Sequence, residues 1–302
     1  MKVVTVGNVN LDVVVLESSA PRLPGDKNDV EAINLYAGGG AFNGAYSFRA
    51  LGAEVEVAST VGADFEGEWL HNKLRSIGAR DTCFNSHPNF ATSKAVIQVQ
   101  PQGRATVQAY RGASQDLQLP CLNALLDWAD VLYVAPVAER AITKVLQALE
   151  QSSNSDLKVV VIPAAQGLHE QQAPLKQLLK RANVVCMNFV EAQLYLGRGE
   201  LLPETEPTPA MTELIHELQT ELDTNVVVTL VPAGCVFYDG ERTHYQAAYP
   251  IARICSTIGA GDAFASTFSF HFLAQTHSVP ECLALASRYS AAVLQAPGAN
   301  LG

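Results

Sequence analysis

The chain has 302 residues, of which 48% are hydrophobic and 17% charged, and its formal net charge is −10 at pH 7. This composition predicts a globular protein with a large buried core, and the negative charge argues against nucleic acid or an anionic membrane as its main partner. The six cysteines are scattered without a CxxC pair, no signal-peptide pattern is visible, and no apolar stretch is long enough to span a bilayer. We therefore expect one cytoplasmic domain, residues 1–302, that binds small molecules.

The first predicted element is a central strand at Val3–Val6, which is too uniformly apolar to be half-exposed. Asn10 and Asp12 follow it, and open α/β sheets bind ligands at the carboxyl ends of their central strands. Because the two residues alternate, both side chains can face one side and hydrogen-bond the hydroxyl groups of a polyol. A local turn stabilised by these side chains explains the same residues equally well.

Four short strands are predicted outside the main alternation: Val13–Leu16, Val30–Tyr36, Ser93–Gln100 and Arg104–Tyr110. The first two flank a turn-rich segment at Pro21–Asp26, and the last two form a hairpin with Gly103 at the left-handed position of its loop. We predict that they build a separate β-sheet, a lid inserted at about residues 12–36 and 93–111.

A glycine run at Gly38–Gly40 opens a predicted helix that ends near Leu51. Gly39 and Gly40 permit close approach of a ligand to the backbone, and Asn43 offers a donor and an acceptor one turn into the helix. These three residues are candidate substrate contacts. Taken alone, a glycine run is more often simply a loop.

Strands and helices then alternate along the chain: strand Glu54–Thr60, helix Trp69–Ile77, strand Val131–Val134, helix Ala138–Leu149, strand Val159–Ile162, helix Gln171–Arg181, strand Val184–Met187, helix Phe189–Leu196, helix Pro209–Leu222 and strand Val226–Leu230. This rhythm predicts βαβ units and hence an α/β fold with a doubly wound, mostly parallel sheet flanked by helices. Leu201–Pro209 is predicted to be a surface loop.

Polar residues again follow two of these strands. Asn188 and Glu191 are three residues apart where a strand meets a helix, so both can face one ligand or its metal, although a helix-capping pair is the locally simpler explanation. Thr229 and Gly234 follow the next strand and offer a hydroxyl group and backbone N–H groups.

The most informative stretch is Ile254–Phe264, ICSTIGAGDAF, in which Gly259, Ala260 and Gly261 precede Asp262 and a helix predicted to reach Gln275. A glycine-rich turn at a helix N-terminus leaves backbone N–H groups free to bind an anion such as phosphate. Asp262 can accept a proton from a hydroxyl group that attacks that phosphate. Alternatively, Asp262 is only the N-cap of the helix.

Together, NxD after the first strand, GGxxxN at a helix start, NxxE and GAGDAF resemble, in order and spacing from Val3 to Gly298, the PfkB family of ribokinase-like sugar and nucleoside kinases. The resemblance implies transfer of the ATP γ-phosphate to a hydroxymethyl group, with Mg²⁺ as a second cofactor. It also implies a lid that closes over the sugar and that often forms a dimer contact in such kinases, which leaves a homodimer open here.

The resemblance further implies roles for the candidate residues. Asp262 would be the general base, and the amides of Gly259, Ala260 and Gly261 the anion hole. The residues implied to hold the nucleotide are Asn188, Glu191, Thr229 and Gly234, with Glu191 also holding Mg²⁺ through water. The residues implied to bind the acceptor are Asn10, Asp12, Gly39, Gly40 and Asn43.

Four positions depart from the family pattern. Ser256 stands where many relatives have an aspartate that helps to bind an activating monovalent cation, so potassium activation stays open. Gly40 replaces a lysine, Ala135-Pro136 follow a strand where ribokinases carry an acidic sugar contact, and Val231 replaces a frequent glycine.

The leading interpretation of the sequence is a sugar kinase. A nucleoside kinase of the same fold is the alternative, and a catalytically silent binding protein is a third; a dehydrogenase and a P-loop ATPase are disfavoured because GxGxxG and GxxxxGK are absent.

Overall fold

The computed structural model describes residues 1–18, 27, 29–101, 105–198, 208–296 and 298–301. The predicted turn at Pro21–Asp26, the hairpin connection around Gly103 and most of the predicted loop at Leu201–Pro209 lie outside the described residues. Among the described residues, no helix combines the length and apolar character that crossing a bilayer requires.

Within these ranges the strands are β1 (Lys2–Val6), β2 (Asn10–Glu17), β3 (Val30–Gly38), β4 (Glu54–Gly62), β5 (Arg80–His87), β6 (Lys94–Val99), β7 (Ala105–Tyr110), β8 (Val131–Val134), β9 (Lys158–Val161), β10 (Val184–Asn188), β11 (Asn225–Leu230), β12 (Gly234–Tyr238) and β13 (Thr243–Ala247). The α-helices are α1 (Gly40–Ala50), α2 (Phe65–Ser76), α3 (Leu122–Trp128), α4 (Glu139–Gln151), α5 (Ala165–His169), α6 (Ala173–Arg181), α7 (Phe189–Tyr195), α8 (Pro209–Leu222), α9 (Ala260–Ala274) and α10 (Val279–Leu294). A 3-10 helix spans Gly112–Asp116.

The described strands form two sheets. The main sheet has the order β13-β12-β11-β10-β9-β8-β1-β4-β5, and its strands are parallel except β12 and β13. From β1 the sheet continues through β4 and β5 on one side, and from β8 it continues through β9, β10 and β11 on the other. The strand order therefore reverses between β1 and β8. In open α/β sheets such a reversal opens a crevice at the carboxyl ends of the strands, where ligands bind. The predicted doubly wound, mostly parallel sheet is confirmed.

Helices cover both faces of the main sheet because its central strands are buried on both sides; all four residues of β8 are buried. One core packs α3, α4, α6, α7 and α8 against the sheet, and the other packs α1, α2, α9 and α10 against the opposite face. The helices present apolar residues at helical spacing, as Ile142, Val145 and Leu146 do in α4. This double layer holds the strand ends rigidly at the edge of the crevice.

The lid is a four-stranded sheet with the order β3-β2-β6-β7, and its existence is confirmed. Its strands leave the main domain after β1 and after β5, close to the bounds that the sequence predicts. One lid face carries Val14, Ala95, Ile97 and Val99, which pack into a small core with Ile258. The other face carries alternate residues of the same strands and is largely exposed.

The structure contains elements that sequence analysis does not predict. The strand β5 pairs with β4 and forms one edge of the main sheet, and β12 and β13 form an antiparallel hairpin at the other edge. Edge strands have weak sequence signals because only part of their surface is buried, and residues 80–87 carry polar and charged side chains among the apolar ones. The helix α2 begins four residues earlier than predicted, because Asp64 caps it by accepting a hydrogen bond from Gly67 N at 2.9 Å.

Candidate active site

The glycine-rich turn before α9 lies at the edge of the crevice. Gly259 is the N-cap of α9 with φ +78°, and a Cβ atom there would collide with the backbone carbonyl oxygen of Ala299. The first backbone hydrogen bond of the helix runs from Ala263 N to Gly259 O at 2.9 Å, so the amides of residues 260–262 have no acceptor within the helix. A Cβ atom at Gly261 would meet no described atom within 4 Å. The turn thus presents free amides to open space, as an anion site requires.

Asp262 belongs to the first turn of α9 and is not its N-cap, since Gly259 holds that position. The Asp262 carboxylate instead accepts hydrogen bonds from two other elements. Asn43 Nδ2 of α1 donates to Oδ2 at 2.9 Å, and the hydroxyl group of Tyr133 in β8 donates to Oδ1 at 3.2 Å. The alternative that Asp262 serves only as a helix cap is therefore wrong.

Burial sets the acidity of Asp262. Desolvation raises its pKa from 3.8 to about 6, and the hydrogen bonds from Asn43 and Tyr133 oppose that increase. A carboxylate with a pKa near 6 is ionised at neutral pH, yet it is a stronger base than an exposed aspartate. This combination suits a group that must take a proton from an alcohol at physiological pH.

Asn10 and Asp12 lie on β2 where the lid joins the main domain. Their side chains face the same side, as predicted, because Asn10 Nδ2 donates a hydrogen bond to Asp12 Oδ1. Asp12 is only 3% exposed, and desolvation raises its pKa to about 7 despite the bond from Asn10. Gly38 and Gly39 pack against these two side chains, and a Cβ atom on either glycine would collide with them. The glycine run therefore makes room for a polar pair.

Asn43 Oδ1 and Asn8 Oδ1 are two of the buried side-chain atoms that have no hydrogen-bond partner among the described residues. Buried amide oxygens are normally satisfied, so these two are candidate acceptors for a ligand hydroxyl group. Asn8 was not among the sequence-predicted residues. A Cβ atom on Gly40 would lie 2.6 Å from Ala135 Cβ and 3.4 Å from Asp262 Oδ1, so Gly40 brings the backbone of α1 close to the carboxylate.

Asn188 and Glu191 form a capping box at the start of α7. Asn188 Oδ1 accepts from Glu191 N at 2.9 Å, and Glu191 Oε2 accepts from Asn188 N at 2.8 Å, so the capping interpretation of this pair is confirmed. The pair still lies at the crevice. Desolvation and, to a smaller extent, the charge of Asp262 raise the pKa of Glu191 to about 7, against the hydrogen bonds from Asn188. Two acids held close together in a desolvated crevice favour a cation nearby, because a positive charge offsets their repulsion.

Thr229 lies beside Asn188 on the neighbouring parallel strand, so these two predicted residues share the same sheet edge. Gly234 begins β12 with φ +138°, and a Cβ atom there would collide with the carbonyl oxygen of Gln246 in β13. The structure thus explains Gly234 by the packing of a hairpin. Ser256, which replaces the family's aspartate, is 1% exposed and accepts a hydrogen bond from Ile258 N at 3.2 Å.

The structure brings most of the predicted site residues to one edge of the sheet, and it adds Asn8 and Tyr133, which sequence analysis missed. Asp262, Asn43 and Gly40 are in contact, Asn10 and Asp12 join them through Gly39, and Glu191 is close enough to influence Asp262. For Tyr133 the sequence did carry a signal. A tyrosine in a strand of otherwise aliphatic buried residues was the available signal, because a buried phenol group requires a hydrogen-bond partner.

An open α/β sheet with free amides at a helix start, a buried carboxylate beside them and a second sheet at the same edge is the arrangement expected of a phosphotransferase of ribokinase-like fold. The model of the pfkB carbohydrate kinase family matches residues 1–302. This chain belongs to the pfkB family of carbohydrate kinases, as the four sequence motifs predict, and it is a kinase.

Individual relatives agree with this family. The chain is similar to the ribokinase of Bacillus subtilis strain 168, with 24% identity over 301 residues that cover 98% of this chain and 94% of the relative. Among solved structures, the ribokinase of Arabidopsis thaliana complexed with ribose and ATP has a TM-score of 0.78 at 20% identity, covering 99% of this chain and 94% of that one. An adenosine kinase from Sinorhizobium meliloti has a TM-score of 0.77 at 20% identity, covering 99% and 95%. These structures share the fold.

Proposed function

We propose that this kinase transfers the γ-phosphate of ATP to a hydroxymethyl group of a sugar or sugar derivative, with Asp262 as the general base. The observation that carries the proposal is the position of the Asp262 carboxylate. It stands directly after the free amides of the turn, has a pKa raised to about 6, and is hydrogen-bonded to Asn43 of the segment that would bind the acceptor. A base, an anion site and a polyol site thus meet at one point.

In the proposed reaction the acceptor oxygen attacks the γ-phosphorus while Asp262 takes the hydroxyl proton. The bond from the γ-phosphorus to the bridging oxygen breaks, and ADP leaves with that oxygen. The amides of Gly259, Ala260 and Gly261 stabilise the negative charge on the transferred group, since free amides at a helix N-terminus attract anions. The lid excludes water, which would otherwise accept the phosphoryl group.

The donor set fits a magnesium ion bound mainly through phosphate and water. No cluster of three or more His, Cys, Asp or Glu side chains suited to a metal occurs in the described part of the chain. Magnesium is commonly held by one or two carboxylates together with substrate phosphates and water. Glu191 is the residue we assign to its water shell, with Asn188 beside it and Thr229 on the nucleotide side. When bound, Mg²⁺ neutralises charge on the phosphates.

The acceptor site is polar on one side and apolar on the other. Asn10, Asp12 and the unpaired Oδ1 of Asn43 offer acceptors and one donor for hydroxyl groups. Opposite them, the two departures from ribokinases face each other, because a Cβ atom on Gly40 would lie 2.6 Å from Ala135 Cβ and 3.3 Å from Pro136 Cδ. The packing therefore leaves no room for a side chain at residue 40, and it replaces the acidic contact with an apolar wall. Sugars other than ribose should therefore be tested as acceptors.

An ADP-release assay with Mg-ATP and a panel of pentoses, hexoses and ribonucleosides tests the function. We expect ADP release with at least one acceptor, and phosphate on its hydroxymethyl oxygen by mass spectrometry and ³¹P NMR. A ribonucleoside as the best acceptor would favour the nucleoside-kinase alternative. Binding of ATP without ADP release for the whole panel would indicate a silent relative and contradict the proposal.

We also propose that two copies of the chain associate through the exposed face of the lid, here called the outer lid face. This face consists of Val13, Val15, Ile33, Leu35 and Val96, which the pairing of β2 with β3 and β6 places on one side. Ile33 is 63% and Leu35 is 53% exposed. Contiguous exposed apolar residues on a sheet favour burial against a partner, and a two-fold dimer would bury this same face on both copies.

Leu35→Lys is expected to convert a dimer into a monomer, because a charge in the middle of an apolar interface loses its hydration without a partner. The matched control is Val107→Lys in β7, where the native residue is 52% exposed but pairs with Ile97 and so faces the other side of the sheet. Light scattering after size-exclusion chromatography measures the mass. A monomeric native protein, or dissociation by both variants alike, would contradict this interface.

A further inference from the structure

Tyr133 is a titratable side chain from the middle of the main sheet that contacts the Asp262 carboxylate. It lies in β8, between β1 and β9, and it has no exposed surface. Its hydroxyl group donates to Asp262 Oδ1 at 3.2 Å, while Asn43 Nδ2 donates to the other oxygen at 2.9 Å. Each carboxylate oxygen thus has one fixed donor, and each keeps a free lone pair for the acceptor hydroxyl group.

The surrounding residues make room for this tyrosine and fix its ring. A Cβ atom on Gly44 of α1 would lie 2.7 Å from Tyr133 Cε1, so the glycine lets the helix pack on the ring. Phe48, one turn later, contacts the ring edge-on with centroids 5.5 Å apart and an interplanar angle of 81°. A tyrosine held by a glycine and a phenylalanine on one helix has a defined hydroxyl position, which a space-filling core residue does not need.

The charge environment keeps the hydroxyl group in its donor form. Burial and the negative charge of Asp262 raise the pKa of Tyr133 well above its usual value, so the phenol stays neutral at physiological pH. The other titratable groups that influence the pair are Glu191 of α7 and Cys186 of β10. The packed helices α1 and α10 contribute neutral groups here, Asn43 to the carboxylate and Ser290 to the carbonyl oxygen of Ala260.

We propose that Tyr133 is a positioning residue for phosphoryl transfer, whose hydroxyl group holds the Asp262 carboxylate in the orientation that receives the acceptor proton. This inference rests on the proposed role of Asp262. According to this inference, Tyr133 in the main sheet fixes the orientation of the Asp262 carboxylate, and the loop that carries the anion turn does not. Side chains held by packed elements orient a reactive group more accurately than side chains on loops do.

The test is Tyr133→Phe, which keeps the ring and removes only the donor. Protein labelled with ¹³C at the aspartate carboxyl carbon is titrated by NMR without any ligand. Glu191 gives no labelled resonance, its influence on Asp262 is common to the native protein and to Tyr133→Phe, and Asp262→Asn identifies the resonance. We expect the Asp262 carboxyl group to titrate about one pH unit higher in Tyr133→Phe, because the ionised form loses a donor.

The kinetics of Tyr133→Phe are measured with the best acceptor of the panel. We expect kcat to fall on the order of ten-fold, which is a part of the 10²–10⁴ that a general base contributes, while KM changes little.

Two further variants separate positioning from packing. Phe48→Leu weakens the packing on the ring but keeps the hydroxyl group, so it should lower the melting temperature and move the Asp262 titration much less than Tyr133→Phe does. Gly44→Ala displaces the ring without removing the hydroxyl group, so it should move the titration upward, and it serves if Tyr133→Phe folds poorly. Equal titration in native protein and Tyr133→Phe, or an equal shift in Phe48→Leu, overturns the proposal. Full activity of Asp262→Asn would instead refute the proposed function, whichever result Tyr133→Phe gives.

Discussion

Asp262→Asn is expected to lower kcat by about 10²–10⁴-fold while the affinity for ATP stays nearly unchanged. The amide keeps the size and one acceptor oxygen of the carboxylate, but it cannot take a proton from the acceptor hydroxyl group. The nucleotide would contact the backbone amides of Gly259–Gly261, which the substitution leaves in place. Single-turnover kinetics and calorimetric titration with ATP measure the two quantities separately.

The same experiment has a pH signature. In the native enzyme, kcat/KM should rise with pH through about 6 and level off above it, because Asp262 must be ionised to act as a base. Asp262→Asn should lose this dependence. A variant that keeps most of the native rate, or keeps the native pH profile, would show that another group takes the proton.

Thermal unfolding controls for misfolding of Asp262→Asn. The folded-state pKa of Asp262 is raised above the value of 3.8, so the folded protein binds the proton more tightly than the unfolded chain does. The stabilisation from that proton is complete below pH 3.8 and is lost as the pH rises through about 6. At pH 8 the native protein therefore carries a buried charge that the variant lacks. Asp262→Asn should melt at the same or a higher temperature there.

Gly259→Ala is expected to destroy both activity and much of the stability. Gly259 has φ +78°, a region that costs an L-residue about 1–2 kcal/mol, and its Cβ atom would also collide with the carbonyl oxygen of Ala299. The atoms of Ala299 that the new Cβ atom would meet belong to the backbone, so the collision can be relieved only if the turn or the segment around Ala299 moves. The amides of the anion site would then point elsewhere, and a loss of 10²-fold or more in kcat follows from a shift of about 1 Å.

Two glycines serve as controls for Gly259→Ala in thermal unfolding. Gly52→Ala carries the conformational cost alone, because Gly52 has φ +89° and a Cβ atom there would meet no described atom within 4 Å. Gly261→Ala carries neither cost, and alanine is the better helix former by about 1 kcal/mol. We expect the melting temperatures to fall in the order Gly261→Ala, Gly52→Ala, Gly259→Ala. Equal melting temperatures for the last two would show that the contact with Ala299 is not rigid.

The main architecture and the composition of the site were predictable because they depend on local signals. Uniformly apolar runs predict central strands, and the alternation of strands with helices predicts a doubly wound sheet whose strand ends share one edge. The glycine-rich turn Gly259-Ala260-Gly261 before Asp262 predicts an anion-binding helix start. The strands β5, β12 and β13 were not predicted: β5 and β13 lie at the edges of the main sheet and are only partly buried, and β12 is a five-residue strand that begins at a glycine.

The amino-acid sequence alone therefore determined the class of fold, the lid and the segments that meet at the site. The tertiary structure decided which polar groups meet. Asn43 and Tyr133 reach Asp262 across 219 and 129 residues of chain, Asn188 and Glu191 bind each other at a helix start, and Gly234 serves a hairpin. The physical reason is that backbone conformation follows from neighbouring residues, whereas the partner and the pKa of a buried polar group follow from whatever the folded chain packs against it.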